Sequence, residues 1–415
     1  MSQDILRRIL DPASRADPYP LYEELRKTPV YRDGDGPYAI SHYHDIRALL
    51  HDPRISSDPR NRTDVGNDPL ADAEEEESTT LPTPFLRLDP PEHDRLRRMT
   101  NRPFGPPHSP HRVDSMRPEL HTIVKDLIDG IGDPGDVDVV EQFSYPFPVT
   151  VICRLLGVPH EDESRFHVWA DTLAASLDPD PDSDPDERAK VSQGARMELG
   201  MYLAGLIEER RKKPGDDMLS RLAAGGGGKG EDGPMSTMEL LSTAALLLIA
   251  GHETTVNLIT NGMLTLLRHP EVLADLRANP GLAVPLVEEL LRYEPPVQLL
   301  PGRTALADIE VRGVTIPKGS TMWLVLASGN RDPERFEDPH RFDPYRKDIQ
   351  HLGLGSGIHS CFGAPLARLE AQTALSELAR RLENPRLVAD PPPYRQNAVL
   401  RGPRHLRITC DGIRP

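Results

Sequence analysis

The sequence predicts a mainly α protein with small β-sheets, an α+β fold in one domain spanning residues 1–415. Three observations predict it. Most stretches between the 43 prolines carry apolar residues at i, i+3, i+4 spacing, the signature of amphipathic helices. Alternation of β-branched residues is concentrated in 305–326. Three low-complexity stretches, 64–77, 178–187 and 225–234, read as surface loops, because the helical patterns between them are short and share no separate core.

The elements follow in order. Residues 17–27 begin with proline and show helical spacing, and 196–213 and 362–384 repeat the pattern. Ser236 and Glu239 form a capping box that opens a helix running to about Arg268, stopped by Pro270. Such a helix spans roughly 50 Å. It is apolar nearly all round from Leu240 to Ala250 and should cross the interior. In 305–326, Pro317 and Gly319 are expected at positions i+1 and i+3 of a type I turn. Long helices with a small sheet fit neither a Rossmann nor a barrel pattern.

Composition excludes several function classes. The formal charge of −16 argues against broad nucleic-acid binding, which needs cationic surface. Mean hydropathy is −0.48, and no apolar run reaches the ~18 residues of a membrane span. The N-terminus lacks a signal-peptide pattern, so a cytoplasmic protein is expected, with no membrane partner. Cys153, Cys361 and Cys410 form no paired motif, so neither a disulfide framework nor cysteine-only zinc ligation is expected.

Two segments break these rules in ways that suggest chemistry. Ala250-Gly-His-Glu253-Thr254-Thr places a glycine and an acid inside an apolar helix. A charge there is costly to bury unless paired. One reading is a polar face turned to water; the other is a local break beside a reactive centre. Thr254 can bond the Ala250 carbonyl or leave it, and a hydroxyl beside a carboxyl makes a plausible proton relay. The second segment, 351–370, surrounds Cys361 with Gly353, Gly355, Gly357 and Gly363, and a helix with Pro365 in its first turn follows. A helix N-terminus favours a thiolate. Spacing alone leaves three readings of Cys361: a buried structural thiol, a nucleophile with His359 as base, and a metal ligand.

Taken together, these motifs resemble the cytochrome P-450 family over nearly the whole chain. Gly357, His359, Cys361 and Gly363, then Ala-Pro-Leu-Ala-Arg368, match its cysteine loop. Ala250, Gly251, Glu253 and Thr254 match its oxygen-activation helix, and Glu289 with Arg292 matches its Glu-x-x-Arg pair. His93 and Arg97 fit its propionate pair, Arg303 its propionate arginine, and Asn330 to Pro333 with Phe342 to Pro344 its meander. Two positions depart: Leu354 stands where the family usually has phenylalanine, and Phe362 where leucine is common.

The resemblance implies a triangular helical prism enclosing haem b, with Cys361 as axial iron ligand. It implies propionate contacts from His93, Arg97, Arg303 and His359, with Ala250 and Gly363 also against the cofactor. Glu253 and Thr254 would supply protons for dioxygen activation; Glu289 and Arg292 would be structural. The implied reaction is monooxygenation of a lipophilic small molecule with O2, such as a polyketide, steroid or terpenoid of secondary metabolism. The chain contains no flavin or iron–sulfur segment. A separate ferredoxin or flavodoxin-like partner with an NAD(P)H reductase would therefore supply electrons to a monomer, with Arg95, Arg98 and Arg102 as contacts. The substrate pocket would draw on 60–88, 166–205, 245–254, Val297 to Leu300 and 396–400. Its readable residues are Leu246, Leu247, Ala250, Val297, Gln298, Leu299, Leu300 and Val399. A peroxide-driven peroxygenase and a haem-binding sensor or carrier are the rival readings, with a Cys361–His359 hydrolase third.

Overall fold

In the computed structural model, residues 4–63, 68, 70, 82–105, 109, 111–177, 185–224 and 233–415 are described. Most of the three low-complexity stretches lies outside them. The organising element is the helix Thr237–Arg268. Its N-terminus carries the expected capping box: Ser236 Oγ accepts from Glu239 N, and Glu239 accepts from Ser236 N. At 1.5 Å per residue its 32 residues span about 48 Å. The interior crossing is made chiefly by Val256–Leu266, where every residue is buried; of the expected stretch Leu240–Ala250, the last two residues, Ile249 and Ala250, are exposed.

Other helices pack on it because their apolar faces have nowhere else to go. Pro146–Leu156 crosses its middle, Ala364–Arg381 lies along its C-terminal half, and Pro185–Lys212 also packs against it. The largest apolar cluster joins these helices with Glu92–Phe104, Arg117–Asp129 and Ala283–Tyr293.

A five-stranded sheet stands to one side, in the order Val30–Tyr31, Tyr38–Ile40, Thr321–Leu324, Leu300–Ala305, Ile55–Ser56. Only the contact between Tyr38–Ile40 and Thr321–Leu324 is parallel. Strands thus occur in 305–326 as expected, but the sheet also recruits N-terminal segments. The expected turn is shifted by one residue: Ser320 N donates to Pro317 O, and Gly319 N donates to Ala305 O in the neighbouring strand. Gly319 has φ +86°, the backbone of the third residue in a type II turn. Among the described residues, no helix is long and apolar enough to cross a membrane.

Candidate active site

A cavity of about 1400 Å³, counting its open mouth, lies between the long helix, the strand Leu300–Ala305 and the loop around Cys361. Cys361 reaches its wall from a loop held by backbone. Cys361 N donates to Leu354 O at 2.8 Å, and Ser360 N to Gly357 O at 3.1 Å. A Cβ on Gly353 would sit 2.2 Å from Leu291 O, and one on Gly357 would sit 2.0 Å from Leu50 O. Gly357 also has φ +71°, so glycine is required there twice over. Burial pushes the Cys361 thiol up; the N–H groups of Gly363 and Ala364, with Arg97 and Arg368, pull the other way. Ligation to a metal ion would complete the deprotonation.

One end of the cavity is cationic. Arg97, Arg303 and His359 line it. Arg97 Nη2 donates to Ser360 O at 2.7 Å, and burial lowers this guanidinium from its usual value. The His93 and His359 rings lie 4.4 Å apart. His93 Nδ1 meets Asp94 Oδ1 at 2.8 Å. His93 Nε2 and His359 Nδ1, both buried, find no hydrogen-bond partner among the described residues. Burial first, then Arg303, His93 and Arg97, push His359 down to about 3. Orphaned imidazole nitrogens beside two arginines suit a group bearing two carboxylates, because buried polar atoms are normally paired. A haem, with a metal for the sulfur and two propionates for this end, fits the donor set.

The middle of the long helix forms another part of the wall through Leu246, Leu247, Ala250 and Thr254. The helix is continuous there, contrary to an expected break. The Thr254 hydroxyl donates to Ala250 O at 2.7 Å. Glu253 is buried rather than turned to water, and its Oε1 takes Asn257 Nδ2 at 3.2 Å and Arg395 Nη1 at 3.2 Å. Sequence reasoning found neither Asn257 nor Arg395, since nothing in spacing links residue 395 to residue 253. On the same helix the His252 ring meets Tyr145 edge-on, and burial drives it to about 3, so it is neutral.

Some expected pocket residues are elsewhere. Val297 and Leu300 line the wall, but Gln298 and Leu299 do not. Gln298 is spent on structure, accepting from Tyr22 Oη at 3.0 Å and donating to Pro295 O at 2.6 Å. Leu299 packs with Trp323 and Val325 in the N-terminal core, and Val399 leans on that same cluster. Successive residues of an extended segment face opposite sides, so four in a row cannot share one cavity. Among the described residues, 166–205 contributes nothing to the wall. Ile152 and Leu155 of Pro146–Leu156 contribute instead, with Phe85 and Leu86 from the 60–88 segment.

Behind Cys361 the polar groups are tightly committed. Arg292 forms two 2.7 Å bonds to Glu289, with both side chains fully buried. The same guanidinium donates to the carbonyls of Asn330, Pro339 and Arg341, and Glu289 Oε1 accepts from Asp343 N. Next to it, Arg368 and His351 converge on Glu288, a partner unseen in the sequence reading. Burial pushes the Glu288 carboxyl up, but His351 and Arg368 prevail and hold it at about 2.

A thiol on the wall of a cavity whose other end is cationic and carries two imidazoles fits one class of protein, haem-thiolate proteins with a helical fold. The family model for cytochrome P-450 matches residues 47–281 and 282–410. The chain is 42% identical to the monooxygenase PikC of Streptomyces venezuelae over 95% of its length and 91% of that protein. It is 38% identical to the 6-deoxyerythronolide B hydroxylase of Saccharopolyspora erythraea, covering 95% and 96% of the two chains. Its fold matches ligand-free CYP164A2 of Mycobacterium smegmatis with a TM-score of 0.84 at 41% identity, covering 98% and 99%. The chain belongs to the cytochrome P-450 family, whose members carry haem iron, and it is a monooxygenase.

Proposed function

We propose that the chain, as one functional domain, holds haem b through Cys361 and inserts one oxygen atom of O2 into a lipophilic small molecule. The observation that carries this reading is the Cys361 sulfur on the wall of a largely apolar cavity whose polar end is cationic. His93, Arg97, Arg303 and His359 would hold the propionates, with Ala250 and Gly363 against the macrocycle. Bound haem supplies dioxygen activation, with the thiolate pushing electron density toward iron.

The chain's own residues do the rest. The apolar wall excludes water and takes a substrate of the polyketide, macrolide, steroid or terpenoid kind. Relatives named for 6-deoxyerythronolide B and vitamin D3 hydroxylation support that range. Thr254 keeps its proton on the Ala250 carbonyl and gives it up by rotating toward the cavity. Glu253, once it leaves Arg395 and takes up a proton from solvent, passes that proton on to Thr254. Glu289 and Arg292 keep the segment behind Cys361 in place. Electrons come from a ferredoxin or flavodoxin-like protein with an NAD(P)H reductase, acting on a cytoplasmic monomer. Its contacts include Arg98, which is exposed, and Arg102. Arg95, paired with Glu239, is a third candidate.

The test is the carbon-monoxide difference spectrum of the reduced holoprotein. A red-shifted thiolate-haem Soret band is expected; its absence overturns the reading. With a reconstituted reductase and NAD(P)H, a lipophilic ligand that perturbs the Soret band should be oxygenated, and ligand binding without product would favour a carrier.

A further inference from the structure

Three side chains hold the residues on either side of Cys361: Arg97 reaches both, and Phe104 and Phe85 pack on the following one. Arg97 ties the preceding residue through its 2.7 Å bond to Ser360 O. The following residue, Phe362, is stacked on Phe104 with ring centroids 4.5 Å apart and planes 29° apart. Phe85 meets Phe362 edge-on at 6.2 Å. The Arg97 guanidinium lies 5.6 Å from the Phe362 ring and 5.9 Å from the Phe85 ring, closing the group from the polar side. Phe104 is buried at the last position of Glu92–Phe104, the helix that also presents Arg97.

Aromatic stacking and a cation near a ring are directional, so they fix orientation as well as filling space. Phe362 is covalently next to Cys361, so holding its ring restrains the backbone that carries the sulfur. The loop's other supports are backbone: Cys361 N donates to Leu354 O, Ser360 N donates to Gly357 O, and Gly353 and Gly357 lie close against carbonyls. Leu354, two-faced neither in polarity nor in shape, supplies no ring on that side. The aromatic grip therefore comes from the downstream side of the cysteine.

We propose that Phe104 is a positioning residue for the thiolate: through its stack on Phe362 it fixes the direction of the Cys361 sulfur and thereby its donor strength toward the haem iron. This rests on Cys361 being the axial ligand. Phe104 touches no reacting atom in this role; it acts through Phe362.

The experiment uses the full-length holoprotein. Phe104→Leu, which keeps bulk and removes the ring, is compared with Phe104→Ala, Phe104→Tyr and Phe362→Leu. Leu155→Ala serves as control for bulk lost elsewhere on the wall. Two quantities are read at fixed pH: the haem reduction potential, and the rate at which the reduced carbon-monoxide complex loses its thiolate band on mild warming. Removing the ring is expected to speed that loss about 2- to 10-fold, the range an aromatic pair supports. It should also shift the potential, while Phe104→Tyr stays near wild type. Combining Phe104→Leu with Phe362→Leu should add little to either single change. Band lifetimes and potentials for Phe104→Leu equal to those of Leu155→Ala overturn the proposal, as do fully additive double-variant effects. A wild-type holoprotein that never shows the band overturns the axial reading itself, and this inference with it.

Discussion

The two sides of the cavity are built on different principles. On the thiolate side, side chains are held by ion pairs and backbone bonds: Arg292 alone reaches Glu289 and three carbonyls. On the side formed by Leu246, Leu247, Ile152, Leu155, Val297 and Leu300, the contacts are apolar and carry no direction. Directional contacts specify one geometry. Dispersion contacts accept any side chain of similar volume. The difference teaches where the molecule tolerates change: the directional side is the one proposed to hold the iron, and the apolar side the one proposed to shape a substrate.

The sharpest way to break this contrast is Arg292→Ala. It leaves the Glu289 carboxylate buried and uncompensated, a loss of about 3–5 kcal/mol. Denaturant unfolding, or failure to accumulate as soluble holoprotein, reads it; a cost below about 1 kcal/mol would erase the distinction between the two sides. Next comes Thr254→Ala, which removes the hydroxyl from the wall without touching the thiolate side. Product formed per NAD(P)H consumed should fall on the order of tenfold, with the thiolate band intact. Unchanged coupling removes Thr254 from proton delivery.

Leu247→Ala tests the apolar side. The residue faces the cavity, so its stability cost should lie near the low end for leucine truncation, about 2 kcal/mol. Ligand Kd values, followed by Soret titration, should change rank between small and large ligands while the reduced spectrum stays fixed. A shift in that spectrum would mean the two sides are coupled.

The smallest effect is expected at Glu370, a buried wall residue whose Oε2 has no partner among the described residues. Burial pushes its carboxyl well above the usual range. The folded state then keeps a proton that the unfolded chain releases above pH about 4.3, so stability falls as pH rises from there toward the folded value. Glu370→Gln cannot ionise and should raise Tm by about 2 °C at pH 8, with the gain shrinking toward pH 5. A gain independent of pH contradicts the protonated carboxyl.

The thiolate side was legible in the sequence because its chemistry demands particular residue types at fixed spacing. Gly357, His359, Cys361 and Gly363 lie within seven positions, and Glu289 with Arg292 within one helical turn. The capping box at Ser236 was legible for the same reason. The other side was less so. Gln298, Leu299 and Val399 share its composition, yet backbone direction turns them into another core. Ile152 and Leu155 look like ordinary core positions until Pro146–Leu156 is laid across the long helix. Arg395 meets Glu253 only because the chain returns from far along the sequence.

The backbone pinch at the cysteine loop has a consequence for how such a protein can diverge. Gly353 abuts the Leu291 carbonyl and Gly357 the Leu50 carbonyl, so neither position accepts a side chain. Both clashes are with backbone, which cannot swing aside as a flexible side chain can. The loop is thereby closed to gradual substitution, and a lineage seeking a different redox poise must explore residues that merely lean on it. Laboratory evolution of this centre should accordingly accumulate its useful changes one shell out from the loop, leaving these glycines invariant.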